Sequence, residues 1–144
     1  MTLEKFRVNH SRLVEHYQFI EHNLEGIYAA VCGEYFYGGL LNVENDTIKR
    51  LLQKIEEIEK ENNKKYIPNE MVKRIEKAST RRNFWCHNCY VDLVFKANGD
   101  LKHEKDAKAL ADDIREAELL REELFNIKDG LLFGNSREFL PLKQ

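Results

Sequence analysis

An all-α protein is predicted: an antiparallel four-helix up-and-down bundle with a short C-terminal helix, forming a single domain over residues 1–144. Three observations point there. Glycine and proline are scarce, at 7 and 2 of 144 residues, and most other residues are helix formers. Apolar residues recur at alternating threes and fours in four separate stretches, a helical period that a strand cannot satisfy. No stretch alternates apolar and polar residues, and no hairpin signal separates such stretches. There is no internal repeat and no low-complexity segment.

The first helix is expected from about Leu3 to Phe36. Leu13, Tyr17, Ile20, Leu24, Ile27 and Val31 form its apolar stripe, and Gly38-Gly39 is expected to end it. His10, His16 and His22 lie six residues apart, so each turns by about 240° from the last and they spread around the helix rather than sharing a metal. Asn45 or Asp46 is expected to cap a second helix, about Thr47 to Asn62. Ile48, Leu51, Leu52, Ile55 and Ile58 make its inner face, and Glu56, Glu57, Glu59, Lys60 and Glu61 its wet one.

After a loop at Asn62-Asn63-Lys64-Lys65, Pro68 stands near the start of the third helix, where a missing N–H costs little. That helix is expected from about Asn69 to Ala97, with Met71, Ile75, Ala78, Trp85 and Cys89 inward and Asn98-Gly99-Asp100 as its stop. The fourth, about Glu104 to Lys128, carries Ala107, Leu110, Ala111, Ile114, Ala117, Leu120 or Arg121, and Leu124. Asp129-Gly130 is expected to end it. Leu131-Leu132-Phe133 and a short turn from Ser136 to Leu140 then pack back on a neighbour.

Lys and Arg number 23 against 25 Asp and Glu, a net charge of −2, so any nucleic-acid surface must be local. No membrane span and no signal-peptide pattern is present, and a cytoplasmic protein is expected. Three cysteines, an odd number, argue against a disulfide framework. Glycine-rich phosphate loops, His-Glu-x-x-His and Gly-x-Ser-x-Gly are absent, and neither cofactor nor metal is expected.

The chemistry concentrates in Thr80-Arg81-Arg82-Asn83-Phe84-Trp85-Cys86-His87-Asn88-Cys89-Tyr90. On a straight helix Asn83, His87 and Tyr90 stack at i, i+4 and i+7, with Arg82 one step round from Asn83. A guanidinium for charge, an amide for positioning and an imidazole for proton transfer suit a phosphodiester. Lys73, Arg74, Lys77 and Arg81 lead into this motif and are the expected substrate contacts, offset only by Glu76; a solvated helix face is the competing reading. Cys86-x-x-Cys89 lies inside the helix rather than at its start, and the pair is read as small buried hydrophobes.

An all-α bundle with Arg-Asn-x-x-x-His on its third long helix resembles the HEPN superfamily, whose pattern is an Arg, a polar residue and a downstream His. Arg82, Asn83 and His87 match that pattern residue by residue. The resemblance implies a metal-independent endoribonuclease acting as a homodimer, in phage defence, abortive infection or toxin–antitoxin pairs, with RNA as substrate and an antitoxin protein as partner. It implies catalytic roles for Arg82, Asn83 and His87. A toxin subgroup carries a Tyr two residues after its motif His; Tyr90 lies three after His87 and is site-adjacent only. The chemistry is coherent: the RNA 2′-OH attacks its own phosphate, an imidazole of reference pKa about 6.5 moves protons, and the Arg fork holds the charge. One His is hard pressed to be base and acid together, so a twofold axis would supply the second. The alternative is a non-catalytic helical module that binds protein, nucleotide or RNA.

Overall fold

The computed structural model describes residues 2–91 and 104–138. Among these residues the chain is all helical, with five α-helices and no strand: α1 Leu3–Val31, α2 Phe36–Val43, α3 Ile48–Asn62, α4 Asn69–Asn83 and α5 Glu104–Glu138. No helix among them is long and apolar enough to cross a membrane.

Thr2 starts α1, its hydroxyl accepting the Lys5 amide at 3.1 Å. The helix ends five residues before the expected Phe36, because Gly33 takes the left-handed φ of +84° that other residues avoid. Gly38 and Gly39 instead lie inside α2, a short helix the sequence did not suggest. Gly39 serves close approach: a Cβ there would stand 2.8 Å from both Ala29 Cα and Cys32 Sγ of the α1 end. Thr47, rather than Asn45 or Asp46, caps α3 by accepting the Arg50 amide. Asn63 closes α3 in the left-handed region at φ 50°.

The core follows the predicted stripes except at Ala111, which is exposed, and at Val31, Ile58, Met71 and Ala107, which are half-buried. Leu13, Tyr17, Ile20, Leu24 and Ile27 of α1, Leu51 and Ile55 of α3, Ile75 of α4, and Leu110, Leu120 and Leu124 of α5 are all buried. At the Leu120/Arg121 position it is Leu120 that faces inward, while Arg121 is half-buried. Glu59 departs from the expected wet face. It is 6% exposed, and its carboxylate accepts the amides of Tyr66 at 2.7 Å and Ile67 at 3.1 Å. The loop folds over α3 and uses that carboxylate as the acceptor its backbone would otherwise lack.

Cross-helix contacts give the directions. His16 meets Arg121, and Gly26 meets Lys128, so α1 and α5 run parallel. Arg82 meets Glu21 and Trp85 meets His10, while Arg74 reaches Glu123 and Arg81 reaches Asp113, so α4 opposes both. A four-helix up-and-down path would leave its first and last helices antiparallel; the extra helix α2 changes that parity. Among the described residues the short helix therefore follows the first long one. α5 continues through Asp129-Gly130 and takes in Ser136–Glu138. The expected extension of the third helix to Ala97, the Asn98-Gly99-Asp100 stop and the end of the turn at Leu140 lie outside the described residues.

Candidate functional site

The motif falls where α4 changes its winding. Phe84–Asn88 form a π-helical turn, and the Cys89 amide bonds to the Phe84 carbonyl five residues back. In an α-helix that amide would go to the Trp85 carbonyl. Trp85 is 1% exposed, and its freed carbonyl takes two other donors: His10 Nε2 at 2.6 Å and the Cys89 thiol at 3.0 Å. Its indole N–H donates to Asp113 Oδ2 at 2.6 Å, the same oxygen that Arg81 Nε reaches at 2.7 Å. The Trp is thus pinned by α1 through its backbone and by α5 through its ring.

This winding changes the expected register. An inserted residue removes up to about 100° of rotation across the turn, so His87 swings away from the flank of Asn83 and towards that of Arg82. The straight-helix stack of Asn83, His87 and Tyr90 therefore does not form. Tyr90 turns to α1, with its ring edge-on to Phe6 at 5.4 Å and its hydroxyl 3.5 Å from His10 Nδ1. Burial pushes its phenol pKa up.

Arg82 is one-third exposed, and its Nε is held by Glu21 of α1 at 2.5 Å. Asn83 and His87 are exposed, and neither has a hydrogen-bond or ion-pair partner among the described residues. No hydrogen bond or ion pair links the three motif side chains to one another; what they share is one stretch of chain at the end of α4. Of the two cysteines expected to be small buried hydrophobes, only Cys89 is buried, its thiol donating to the Trp85 carbonyl; Cys86 is exposed. Partial burial pushes the Cys86 thiol up despite the Arg82 charge beside it, so it is a poor thiolate. Among the described residues no three His, Cys, Asp or Glu side chains gather as metal ligands.

The basic run divides. Arg74 binds Glu116 at 2.7 Å and Glu123 at 2.5 Å, and the hydrogen bond to Glu116 above all raises its already high pKa. Arg81 binds Asp113 and lies over the rings of Phe84 and Trp85. Both fasten α4 to α5. Lys73 and Lys77 are exposed, without ion-pair partners among the described residues. Lys77 borders a cleft of about 450 Å³ that Asp112, Asp113 and Glu116 line from the other side.

His10 is the residue that sequence reasoning passed over. The six-residue spacing scatters it from His16 and His22, and that scatter sends His10 to Trp85 and His16 to Arg121 while His22 stays exposed. The signal available was its place between Phe6 and Leu13, at the edge of the α1 stripe. A carbonyl only accepts, so Nε2 carries a proton. His10→Phe keeps the stacking on Phe6 but removes the donor to Trp85. We expect a loss of about 1 kcal/mol in urea unfolding and faster amide exchange at Cys89. Unchanged exchange there would show that the π turn holds without His10.

Comparison with models of protein families, with curated proteins and with solved structures finds no match for this chain.

Proposed function

We propose that the protein is a metal-independent endoribonuclease of HEPN type that works as a homodimer on RNA, in phage defence or a toxin–antitoxin pair with an antitoxin partner, in the cytoplasm. One observation carries the reading: a π-helical turn over Phe84–Asn88, a rare winding concentrated at functional positions, overlaps the Arg82-Asn83-x-x-x-His87 segment, where His87 is exposed and has no partner among the described residues. Exposed Tyr90 and Val91 follow directly and provide apolar surface for a second copy.

In this reading His87 of one copy takes the proton of a ribose 2′-OH. The 2′ oxygen bonds to phosphorus and the P–O5′ bond breaks. His87 of the second copy gives a proton to the leaving O5′, yielding a 2′,3′-cyclic phosphate and a 5′-hydroxyl. Arg82 holds the charge that gathers on the phosphoryl oxygens. Asn83 orients substrate or imidazole. Lys73 and Lys77 are the cations left to meet the RNA backbone; Arg74 and Arg81 would have to leave α5 to help. The test is cleavage of single-stranded RNA by purified protein in excess chelator, set beside His87→Ala and Arg82→Ala. Activity that survives in both variants sinks the assignment.

A second reading rests on the Arg82–Glu21 pair. A guanidinium already neutralised at 2.5 Å suits a non-catalytic HEPN-like module that binds protein, nucleotide or RNA without turnover. Glu21→Gln separates the two. If Arg82 serves a phosphate, freeing it should raise kcat/KM for RNA cleavage several-fold with little change in fold stability, because a half-exposed ion pair is worth about 1 kcal/mol or less. A binding module shows no turnover in either form.

A further inference from the structure

On the other flank of α1, α1 and α5 leave a cleft of about 480 Å³. Its floor is built around two cations. Arg121 stacks on the Phe19 ring at 3.8 Å and places Nη1 3.2 Å from His16 Nδ1. That nitrogen must accept, so His16 is neutral there; burial first, then the Arg121 charge, lowers its pKa. Lys128 crosses α1 where Gly26 leaves room, since a Cβ at 26 would meet its Cδ. Its ammonium donates to Asn23 Oδ1 at 3.0 Å. Asn23 is 3% exposed, and its Nδ2 donates to the Arg121 carbonyl, which fixes the amide with oxygen towards Lys128.

Lys128 has no carboxylate ion-pair partner among the described residues, and burial lowers its pKa, with Asp129 next in sequence the smaller opposing influence. Asp129 also borders the next cleft, and Glu118 and Glu122 the first. A partly buried ammonium without a counter-ion is costly, and an arriving anion removes that cost. Past Lys128 the groove continues into a second cleft of about 370 Å³, walled by Phe36, Leu40, Phe125, Leu132 and Phe133. His22, Phe125 and Lys128 border both clefts. One end of the groove carries Lys128 and Arg121, with Glu118 and Glu122 on its border and Glu15 3.9 Å from Arg121, so Lys128 is the cation left without a carboxylate partner among the described residues; the other end is apolar.

We infer that this groove binds an amphiphilic organic anion, with a carboxylate or phosphate head on Lys128 and Arg121 and an apolar body along Phe125, Phe36, Leu40 and Leu132. The site is separate from the Arg82–His87 motif and stands whether or not the protein cuts RNA.

The probe is 1-anilinonaphthalene-8-sulfonate, titrated by fluorescence into the full chain. Saturable one-to-one binding is expected, with Kd raised at least tenfold by Lys128→Met, which keeps the stem and removes the charge. Phe125→Glu, at a position 49% exposed, puts a like charge at the junction without disturbing the core and should weaken binding similarly. Dodecanoate or dodecyl phosphate should displace the probe, and the better of the two identifies the head group; dodecanol should not. Circular dichroism confirms that both variants fold. An unchanged Kd in both variants, or displacement by dodecanol as effective as by dodecanoate, overturns the proposal and leaves an apolar patch.

Discussion

His87→Ala is expected to lower RNA cleavage by about 10²–10⁴-fold, the range of a lost general acid or base. Its unfolding midpoint should not move, because the imidazole is exposed and has no partner among the described residues. That combination is the useful part: a structural histidine would lose stability and activity together. The effect should fall on kcat, since proton transfer belongs to the transition state rather than to binding. If two copies of His87 serve as base and acid, the pH–rate profile is bell-shaped, and both limbs vanish in the variant. Mixing wild-type protein with an excess of His87→Ala should also suppress activity, because mixed dimers lack one proton carrier. Cleavage within threefold of wild type would remove His87 from the mechanism.

Glu59→Ala should be the most damaging change to a charged residue of the fold, costing about 3 kcal/mol in urea unfolding. The carboxylate is buried and receives the amides of Tyr66 and Ile67, with Lys65 Nζ at 3.4 Å. Alanine leaves the part-buried Tyr66 amide and the buried Ile67 amide without their acceptor, and Ile67, 1% exposed, loses the anchor that seats it. Glu59→Gln keeps an acceptor of nearly the same shape and should cost about 1 kcal/mol, the part owed to charge. The contrast between the two separates the missing acceptor from the missing charge. A loss below about 1 kcal/mol for alanine would mean that the loop between α3 and α4 is seated by Ile67 and Pro68 alone.

Glu59 also shows where a sequence pattern stops. In Glu56-Glu57-x-Glu59-Lys60-Glu61 it looks like one of several solvated acids, and only the loop that returns over it tells them apart. Thr47 and Gly33 teach the same lesson at helix ends: good caps and stops stood nearby in Asn45, Asp46 and Gly38-Gly39, and the competition was settled by packing. Gly39 was needed for the approach of α2 to Ala29, so it could not also be the break.

Periodicity alone determined that the described chain is helical, which residues line the core from Leu13 to Ile27 and, Ala111 apart, from Leu110 to Leu124, and that Trp85 and Cys89 turn inward. These follow from a local rule: a helix repeats every 3.6 residues, and the apolar face must be buried. The tertiary structure decided the rest. It set α1 parallel to α5, spent Arg74 and Arg81 on α5, paired Arg82 with Glu21, and used His10 to take the carbonyl that the π turn releases. Each of these depends on which distant group meets a charge or an unsatisfied backbone atom, and spacing along the chain carries no record of that meeting.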